Sequence, residues 1–343
     1  MNISKIKIKG QVYNIVDANA YVAEVNGERY ASLNEAVVAC GTTPSIITLI
    51  GNEVMDAQVV IGDGQDITLN LNGKSLTAKP NWNFNSGLLA VHHGGTLTIN
   101  GEGEIFGVSP GGCVFAGIVL TVDKTDSDNS KPAKLIINGG HIVGQCYGIS
   151  GNGSNAGRGN TECIINGGVI EASSIITSED NCGYYQPQFN SKTTFNDGII
   201  RGRSAIEVRS GDFTMNGGIA EAYGFATDMM VKNNSGPTSK GVALAIAQHS
   251  TKQPINVVIN NGLLIGECPF FEGNPQGNDE LSITTVSAEI NGGAFRTVGA
   301  GAEPFHAENL TEFVNGGEFT HLFTDKKYLN PEKFDVDNWQ TAF

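Results

Sequence analysis

The dipeptide Asn-Gly recurs along this 343-residue chain, each time after a short apolar run. The recurring asparagines are Asn72, Asn100, Asn138, Asn166, Asn196, Asn216, Asn260, Asn291 and Asn315, with Asp-Gly after Asn196 and Asn-Gly after Asn260. Successive members of this set are 20 to 44 residues apart. A strand followed by a turn, repeated at such intervals, predicts a solenoid in which each repeat is one rung.

The residues around each asparagine predict what a rung buries. The third and the first residue before it are mostly apolar, and this period-two alternation indicates a strand with one face in the core. These inward positions include Leu97, Ile99, Leu135, Ile137, Cys163, Ile165, Phe213, Met215, Val257 and Ile259. A second inward residue stands four positions after the asparagine, as at Ile142, Ile170, Ile200, Ala220, Leu264, Phe295 and Phe319. Between the two, we expect asparagine and glycine to adopt the positive φ of a tight corner.

Stacked rungs and an array of hairpins both use Asn-Gly turns, so the two folds are distinguished by the number of residues between successive turns. Hairpins would repeat about every ten residues, and the observed spacing is longer and uneven. The sequence therefore predicts an all-β fold, a right-handed parallel β-helix whose rungs stack about 4.8 Å apart. The long stretches 107–132, 147–162 and 222–240 are expected to be loops that leave single rungs.

The chain divides into four expected parts: an attachment segment at 1–20, a linker and capping helix at 21–45, the β-helix at 46–325, and a cap or arm at 326–343. The helix is indicated by the capping box Ser32-Leu33-Asn34-Glu35. A bare end of a β-helix exposes apolar side chains and unpaired strand edges. We therefore expect this helix to cover the first rung.

Residues 1–20 alternate apolar and polar side chains on both sides of Gly10. An isolated hairpin of this size is marginally stable, so we expect it to be ordered against an assembly partner or another copy of itself. The residues expected to make that attachment are Ile3, Ile6, Ile8, Val12, Tyr13 and Ile15.

Charge and composition exclude several classes of protein. The net charge is −14 and no basic cluster is present, which argues against nucleic-acid binding because phosphate neutralisation needs Lys and Arg. No apolar stretch has the length of a membrane span, and the first residues lack a signal-peptide core, so folding in a cytoplasm is expected. The six cysteines form no C-x-x-C pair, which argues against a disulfide framework or a zinc site. We expect neither a metal nor a cofactor.

Two segments carry a first resemblance. Tyr30-Ala31-Ser32-Leu33-Asn34-Glu35-Ala36, followed by Ile67-Thr68-Leu69-Asn70-Leu71-Asn72-Gly73, resembles the helix and first rung of pectate-lyase-like β-helix proteins, whose later rungs carry Ile-Asn-Gly-Gly. The resemblance covers roughly residues 28–325. It implies the fold but no particular chemistry, since lyases, hydrolases, adhesins and phage spikes share this architecture.

The segment Ile3-Ser4-Lys5-Ile6-Lys7-Ile8-Lys9-Gly10-Gln11-Val12-Tyr13-Asn14-Ile15-Val16-Asp17-Ala18 carries a second resemblance. It is similar to an N-terminal segment of bacteriophage virion structural proteins, where it stands before a fibre, spike or decoration module. In this chain Asn19-Ala20 replaces the usual continuation with Arg. The resemblance implies attachment to capsid or other virion proteins and assembly as a homo-oligomer, with a trimer favoured.

Charged residues supply the first candidate site. Glu171, Arg201, Glu221 and later Arg296 each stand five positions after a rung asparagine. Such a row could grip a sugar acid or perform acid–base chemistry, or it could be a stabilising cross-strand ladder, which we favour. The densest charged group, from Arg201 to Arg209 with Glu207, has no accompanying Asp cluster, so catalysis there is not expected.

Aromatic residues supply a second candidate site, because aromatic rings stack on sugars. The residues considered for glycan binding are Trp82, Tyr184, Tyr185, Arg201 and Glu207, and the aromatic ones could equally anchor loops. Asp123, Asp126, Asp128 and Asn129 are oxygen donors of the kind that calcium prefers, but their spacing is not that of an EF-hand, so no calcium site is expected at 123–129.

These observations favour a non-enzymatic structural component of a phage particle, a head fibre or a capsid decoration protein located in the virion. A host surface polysaccharide is an additional expected partner. One alternative is a receptor-binding tail spike that depolymerises polysaccharide, against which the lack of an evident acid pair counts. Another is a bacterial surface adhesin, against which the lack of a signal peptide counts.

Overall fold

The computed structural model describes residues 21–82, 87–120, 130–151, 160–173, 181–223, 238–248, 253–275, 285–299, 303–321 and 325–335. It also describes the backbone of 5–8 and 11–14. Within these residues nearly all regular structure is β, and three long sheets carry almost all of it. No described helix is long and apolar enough to cross a membrane.

The three sheets contain eleven, ten and nine strands and are here called sheets 1, 2 and 3. Sheet 1 consists of β3 Ala23–Val25, β4 Glu28–Tyr30, β5 Ser45–Leu49, β8 Asp66–Asn70, β11 Thr96–Asn100, β14 Ala133–Ile137, β17 Thr161–Ile165, β20 Lys192–Phe195, β23 Gly211–Met215, β26 Ile255–Ile259 and β29 Val286–Ile290. Sheet 2 consists of β6 Glu53–Met55, β9 Lys74–Ala78, β12 Gly103–Gly107, β15 His141–Gly144, β18 Val169–Ala172, β21 Ile199–Gly202, β24 Ile219–Ala222, β27 Leu263–Gly266, β30 Ala294–Thr297 and β32 Glu318–Phe319. Sheet 3 consists of β7 Val59–Ile61, β10 Leu89–Val91, β13 Ala116–Leu120, β16 Tyr147–Gly151, β19 Cys182–Gln186, β22 Ser204–Val208, β25 Val242–Ala247, β28 Cys268–Gly273 and β31 Phe305–Ala307.

From β5 to β31 the chain visits sheets 1, 2 and 3 in one fixed cyclic order. Each strand therefore pairs, in parallel, with the strand one full circuit earlier, as β17 does with β14. The antiparallel pairs of sheet 1 are β3 with β4 and β3 with β5, at its N-terminal edge. This is a parallel β-helix-like solenoid, as the repeat predicts. Strands β13 and β16 lie within two of the stretches expected to be loops.

The alternating apolar residues form the core. The ten inward positions before the rung asparagines are all at most 1% exposed, and Ile165 is in register with Ile137 and Phe195. The residues four positions after the asparagine are equally buried from Ile142 to Phe295, and Phe319 is partly buried. Because neighbouring rungs place these side chains in stacked rows, one continuous core runs through the solenoid.

The corners between sheets 1 and 2 differ from the expectation in detail. From Asn138 to Asn315, positive φ falls on the glycine two positions after the asparagine, for example +85° at Gly168, and not on Asn166. A Cβ at Gly168 would lie 2.7 Å from the carbonyl oxygen of Gly140, so the neighbouring rung leaves room for glycine alone. Asn72, at φ +49°, does adopt the left-handed conformation, but the register pairs Asn100 with Asn70. The repeat therefore begins at Asn70.

The rung asparagines are joined to one another. From Asn138 onward, each donates its side-chain Nδ2 to the Oδ1 of the asparagine one rung earlier, at 2.8 to 3.0 Å, in eight successive hydrogen bonds within the described residues. The members of this asparagine ladder are Asn100, Asn138, Asn166, Asn196, Asn216, Asn260, Asn291, Asn315 and Asn330. The last one follows a short 3₁₀ helix, Lys326–Tyr328, so residues near 330 continue the stack beyond the last rung.

A single α-helix, α1 Leu33–Cys40, lies among the described residues. Ser32 is the N-cap and accepts a hydrogen bond from the Glu35 backbone N–H at 3.2 Å, as in a capping box, but the Glu35 side chain accepts from the backbone N–H of Ala31, one residue before the N-cap. The helix packs against the strands that begin the solenoid, and Gln65 donates to the carbonyl of Val37. Its buried residues are Leu33, Ala36, Val37 and Cys40.

The N-terminal hairpin consists of β1 Lys5–Ile8 and β2 Gln11–Asn14. The two strands pair antiparallel with Ile8 opposite Gln11, and they form a two-stranded sheet of their own. Two residues of the attachment set, Ile3 and Ile15, lie outside the described residues. The side chains of the other four, Ile6, Ile8, Val12 and Tyr13, lie outside them as well.

Candidate functional site

A column of charged side chains crosses the outer face of sheet 2. His141 lies between two carboxylates, with Nδ1 3.3 Å from Glu104 and Nε2 3.2 Å from Glu171. Arg201 approaches the same Glu171 oxygen, Oε2, with Nε at 2.8 Å and Nη2 at 2.7 Å. Glu221 follows in register beside Arg201, as the sequence predicts for a cross-strand ladder. Arg296 is separated from Glu221 by Ile265.

Glu171 is the centre of this charged column. The hydrogen bond from His141 and the hydrogen bond and charge of Arg201 lower the pKa of Glu171, against burial, which raises it. The carboxylate is thus held ionised between two nitrogen donors. A carboxylate in that state is a poor proton donor for acid catalysis, and its pairing with Arg201 is consistent with the cross-strand ladder, which stays a prediction.

The second candidate site lies on the outer face of sheet 3. The rings of Phe115 and Tyr147 are 4.8 Å apart, and those of Tyr147 and Tyr185 are 5.0 Å apart and stacked. The guanidinium of Arg209 lies over the Tyr185 ring, 5.4 Å from its centre, in cation–π geometry. The strands thus place three aromatic rings and one cation in a continuous row.

Glu207 stands next to this row and is fully buried. It lies in register with Tyr185, on the face opposite the core residues Ile206 and Val208. Its Oε1 accepts from Arg209 Nε at 2.7 Å, and its two oxygens together accept from the backbone N–H and hydroxyl groups of Thr238 and Ser239. A buried carboxylate is tolerated when charged and neutral donors satisfy it in this way.

Arg209 is also 0% exposed, and only its Nε is used by Glu207. Within the described residues, Nη1 and Nη2 have no hydrogen-bond partner. Burial lowers the pKa of Arg209, but Tyr185, Glu207 and Tyr147 together outweigh it and raise the pKa above its ordinary value. Arg209 is therefore a buried cation whose Nη1 and Nη2 make no hydrogen bond to the described residues.

The five residues predicted for glycan binding do not form one site, although Tyr185 and Glu207 lie in register on neighbouring strands. Trp82, Tyr184, Tyr185 and Glu207 are at most 6% exposed, whereas the Arg201 side chain is 37% exposed and paired with Glu171. Tyr184 faces the core, and its hydroxyl lies 2.6 Å from that of Thr193. Tyr185 and Glu207 belong to the row on sheet 3. Burial favours internal roles for the four, and glycan binding by this set stays a prediction.

Among the described residues, no group of three or more His, Cys, Asp or Glu side chains could hold a metal ion. The oxygen donors weighed for calcium, Asp123, Asp126, Asp128 and Asn129, lie outside the described residues.

Sequence reasoning did not predict that Glu207 and Arg209 form a buried pair. The sequence marks both as part of a charged group, which normally indicates a solvated face. The available signal was their alternation with Ala205, Ile206 and Val208, which places both charges on one face of a strand otherwise built from apolar residues.

Comparison with protein-family models, curated proteins and solved structures finds no match to this chain.

Proposed function

We propose that this protein is a non-enzymatic structural component of a bacteriophage particle, a head fibre or capsid decoration protein. The observation that carries the proposal is a contrast between two parts of the chain. The rungs share one continuous core and one asparagine ladder, whereas the hairpin β1–β2 forms a separate two-stranded sheet. A hairpin of that size gains stability from a partner, and the resemblance of residues 3–18 to virion attachment segments suggests which partner.

In this proposal the solenoid is a right-handed β-helix. Successive strands of each sheet are connected by a circuit through the other two sheets, and such crossovers between parallel strands are nearly always right-handed. Helix α1 caps the first rung, because its buried face packs on the strands that begin the solenoid. The capped end is also the end that carries the hairpin.

The charge chemistry supports a structural role over an enzymatic one. Glu171 is held by His141 and Arg201, and Glu207 is enclosed by Arg209, Thr238 and Ser239. Both carboxylates therefore act within the protein. A depolymerase would need an acid and a base that face substrate.

The proposed partners are capsid or other virion proteins, bound through the hairpin, with three copies of the chain assembling together. The proposed location is the virion, assembled in the host cytoplasm, and the exposed solenoid could additionally contact a host surface polysaccharide. None of these partners requires a cofactor.

Particle incorporation tests the proposal. A chain lacking residues 1–20 should retain the circular dichroism and urea unfolding of the solenoid while its incorporation into particles falls at least tenfold. A full-length chain with Arg201→Ala, a change on the outer face of sheet 2, is the matched control and should incorporate normally.

Undiminished incorporation of the truncated chain would overturn the docking role. If the truncated chain does not fold, the full-length double variant Ile6→Asp, Val12→Asp replaces it, since it changes the hairpin and leaves the chain length intact. Normal incorporation of that double variant would equally contradict the proposal.

A further inference from the structure

The corner between β26 and β27 contains an asparagine, Asn261, that lies outside the asparagine ladder. It stands between the ladder member Asn260 and Gly262, and its side chain is exposed. Glycine takes the equivalent place after Asn138, Asn166, Asn216, Asn291 and Asn315. An asparagine followed by glycine can react with its own backbone, because glycine has no side chain to hinder the approach of its nitrogen to the asparagine side chain.

The two groups that would react already face each other. The backbone N–H of Gly262 donates to Oδ1 of Asn261 at 2.8 Å. Since a carbonyl oxygen is about 1.2 Å from its carbon, the Gly262 nitrogen lies within about 4 Å of Cγ of Asn261. Atoms about 3–3.5 Å apart are close to attack geometry, so a small rotation brings the nitrogen onto Cγ. No hydrogen bond of the Asn261 Nδ2, the leaving group, is shown among the described residues.

Water, the second reactant, has access to this corner. Asn261 and Gly262 line a surface groove of about 370 Å³ that continues over the next two rungs. A water molecule takes up about 30 Å³, so the groove admits the water that hydrolysis needs.

The ladder asparagines are held differently, although they are exposed as well. Asn166 donates Nδ2 to Asn138 and accepts at Oδ1 from Asn196, both at 2.8 Å. A Cβ at the following glycine, Gly167, would lie 3.1 Å from the carbonyl oxygen of Asn138. Closer contacts, 2.4 to 2.7 Å from a carbonyl oxygen of the preceding rung, occur at Gly217, Gly292 and Gly316. Both the side chain and the next peptide group are therefore restrained in the ladder.

An aspartate fits the place of Asn261, as another rung demonstrates. Asp197 stands in the equivalent position after Asn196, and its Oδ1 accepts from the Gly198 N–H at 2.7 Å. The backbone N–H of Asp197 donates to Ile165 at 3.4 Å, as that of Asn261 does to Met215. Converting the amide of Asn261 to a carboxylate thus leaves the hydrogen bonds of the corner in place.

We propose that Asn261 is a site of spontaneous deamidation in the folded protein, while the ladder protects its own asparagines. Solvent hydroxide removes the proton of the Gly262 N–H, and the nitrogen forms a bond to Cγ of Asn261. The Cγ–Nδ2 bond breaks and ammonia leaves, which gives a succinimide. Water then adds to one of the two imide carbonyls and opens the ring to aspartate or isoaspartate. This inference does not depend on the proposed function.

Incubation of the native full-length protein at mildly alkaline pH, followed by peptide mapping with mass spectrometry, tests the proposal. Asn26, in the exposed turn Asn26-Gly27 and with no side-chain hydrogen bond shown among the described residues, is the internal reference for an unrestrained pair. Asn261 should convert at a rate within about tenfold of that of Asn26. Asn166 should convert at least about tenfold more slowly than Asn261, because it reacts only after local opening of the stack. In urea the three rates should be alike.

Two variants provide matched controls for the product. Asn261→Asp should keep the urea unfolding midpoint of the wild type, whereas Asn216→Asp should lower it, because a carboxylate cannot donate to Asn196. Native Asn261 that converts as slowly as Asn166, or native Asn166 that converts as fast as Asn261, would overturn the proposal. A lowered midpoint in Asn261→Asp would also contradict it, because the corner would then not accommodate the product.

Discussion

Replacing one asparagine in the middle of the ladder with alanine measures what the ladder contributes to stability. Asn196 donates to Asn166 at 2.8 Å and accepts from Asn216 at 2.9 Å, so Asn196→Ala removes two hydrogen bonds. A hydrogen bond contributes about 0.5–1.5 kcal/mol net, and these are solvent-exposed. We therefore expect about 1–2 kcal/mol of destabilisation for the two together.

The matched comparison is the same substitution at the end of the ladder. The side chain of Asn100 accepts from Asn138, which is the one side-chain hydrogen bond shown for it among the described residues. Asn100→Ala should therefore cost about half as much, roughly 0.5–1 kcal/mol. Asn196→Asp at neutral pH should remove only the bond to Asn166, because a carboxylate cannot donate but still accepts from Asn216, so it should cost about as much as Asn100→Ala.

Urea and thermal unfolding, followed by far-ultraviolet circular dichroism, provide the measurement. With an unfolding entropy of about 2.1 cal/mol/K per residue, the 343 residues correspond to about 0.7 kcal/mol/K. If the solenoid unfolds in one step, Asn196→Ala then lowers Tm by about 1.5–3 °C and Asn100→Ala by about half of that. Equal losses at the two positions, or no loss at Asn196, would refute the reasoning that the ladder is a chain of pairwise bonds.

Four further outcomes are expected. Ile165→Asp should destabilise the fold by about 3–5 kcal/mol in urea unfolding, since Ile165 is 0% exposed and an unpaired carboxylate would be buried there; an unchanged midpoint would show that the rung register is wrong. The lowered pKa of Glu171 means that its contribution is present above its ordinary pKa of 4.5 and is lost as pH falls through the folded-state pKa, so Glu171→Gln should flatten the acid limb of a stability-versus-pH curve. Only Cys113 of the six free cysteines is exposed, so native protein should show one thiol that reacts quickly with a disulfide reagent, and Cys113→Ser should show none. Purified protein should release no reducing or unsaturated ends from acidic or neutral polysaccharides; release that disappears in Arg201→Ala would favour a depolymerase.

The sequence was sufficient for the parts of the fold that repeat locally. Period-two alternation before each asparagine identified the inward rows, and Leu135, Ile137 and Ile165 are all 0% exposed. The turn chemistry was less predictable. Asparagine and glycine both tolerate positive φ, and only the close approach of Gly168 to Gly140 on the neighbouring rung shows why glycine takes it. The asparagine has a different task, hydrogen bonding along the stack, which depends on contacts between residues far apart in sequence.

The strand register at the start of the repeat also could not be predicted from the local sequence. Asn70 and Asn72 are two residues apart and both follow a leucine. The Asn-Gly signal selects Asn72, yet strand pairing places Asn70 beside Asn100. Asn72 instead occupies a left-handed turn and donates its side chain to the carbonyl of Leu49. A local motif therefore identifies a corner, but the neighbouring rung decides which of the two asparagines joins the stack.

Sheet 3 is where sequence patterns carried the least information, and the reason is physical. In sheets 1 and 2 one face of each strand meets the core and the other meets solvent, so burial alternates, as in β17 and β21. In the strands of sheet 3 from β10 to β28 both faces are buried, as every residue of β22 and β25 is, whereas His306 in the last strand, β31, is exposed. Alternation then no longer reports exposure, and a charged residue such as Glu207 looks like surface while it is enclosed. The outer face of sheet 3 thus has to satisfy the buried charges of Glu207 and Arg209 within the protein.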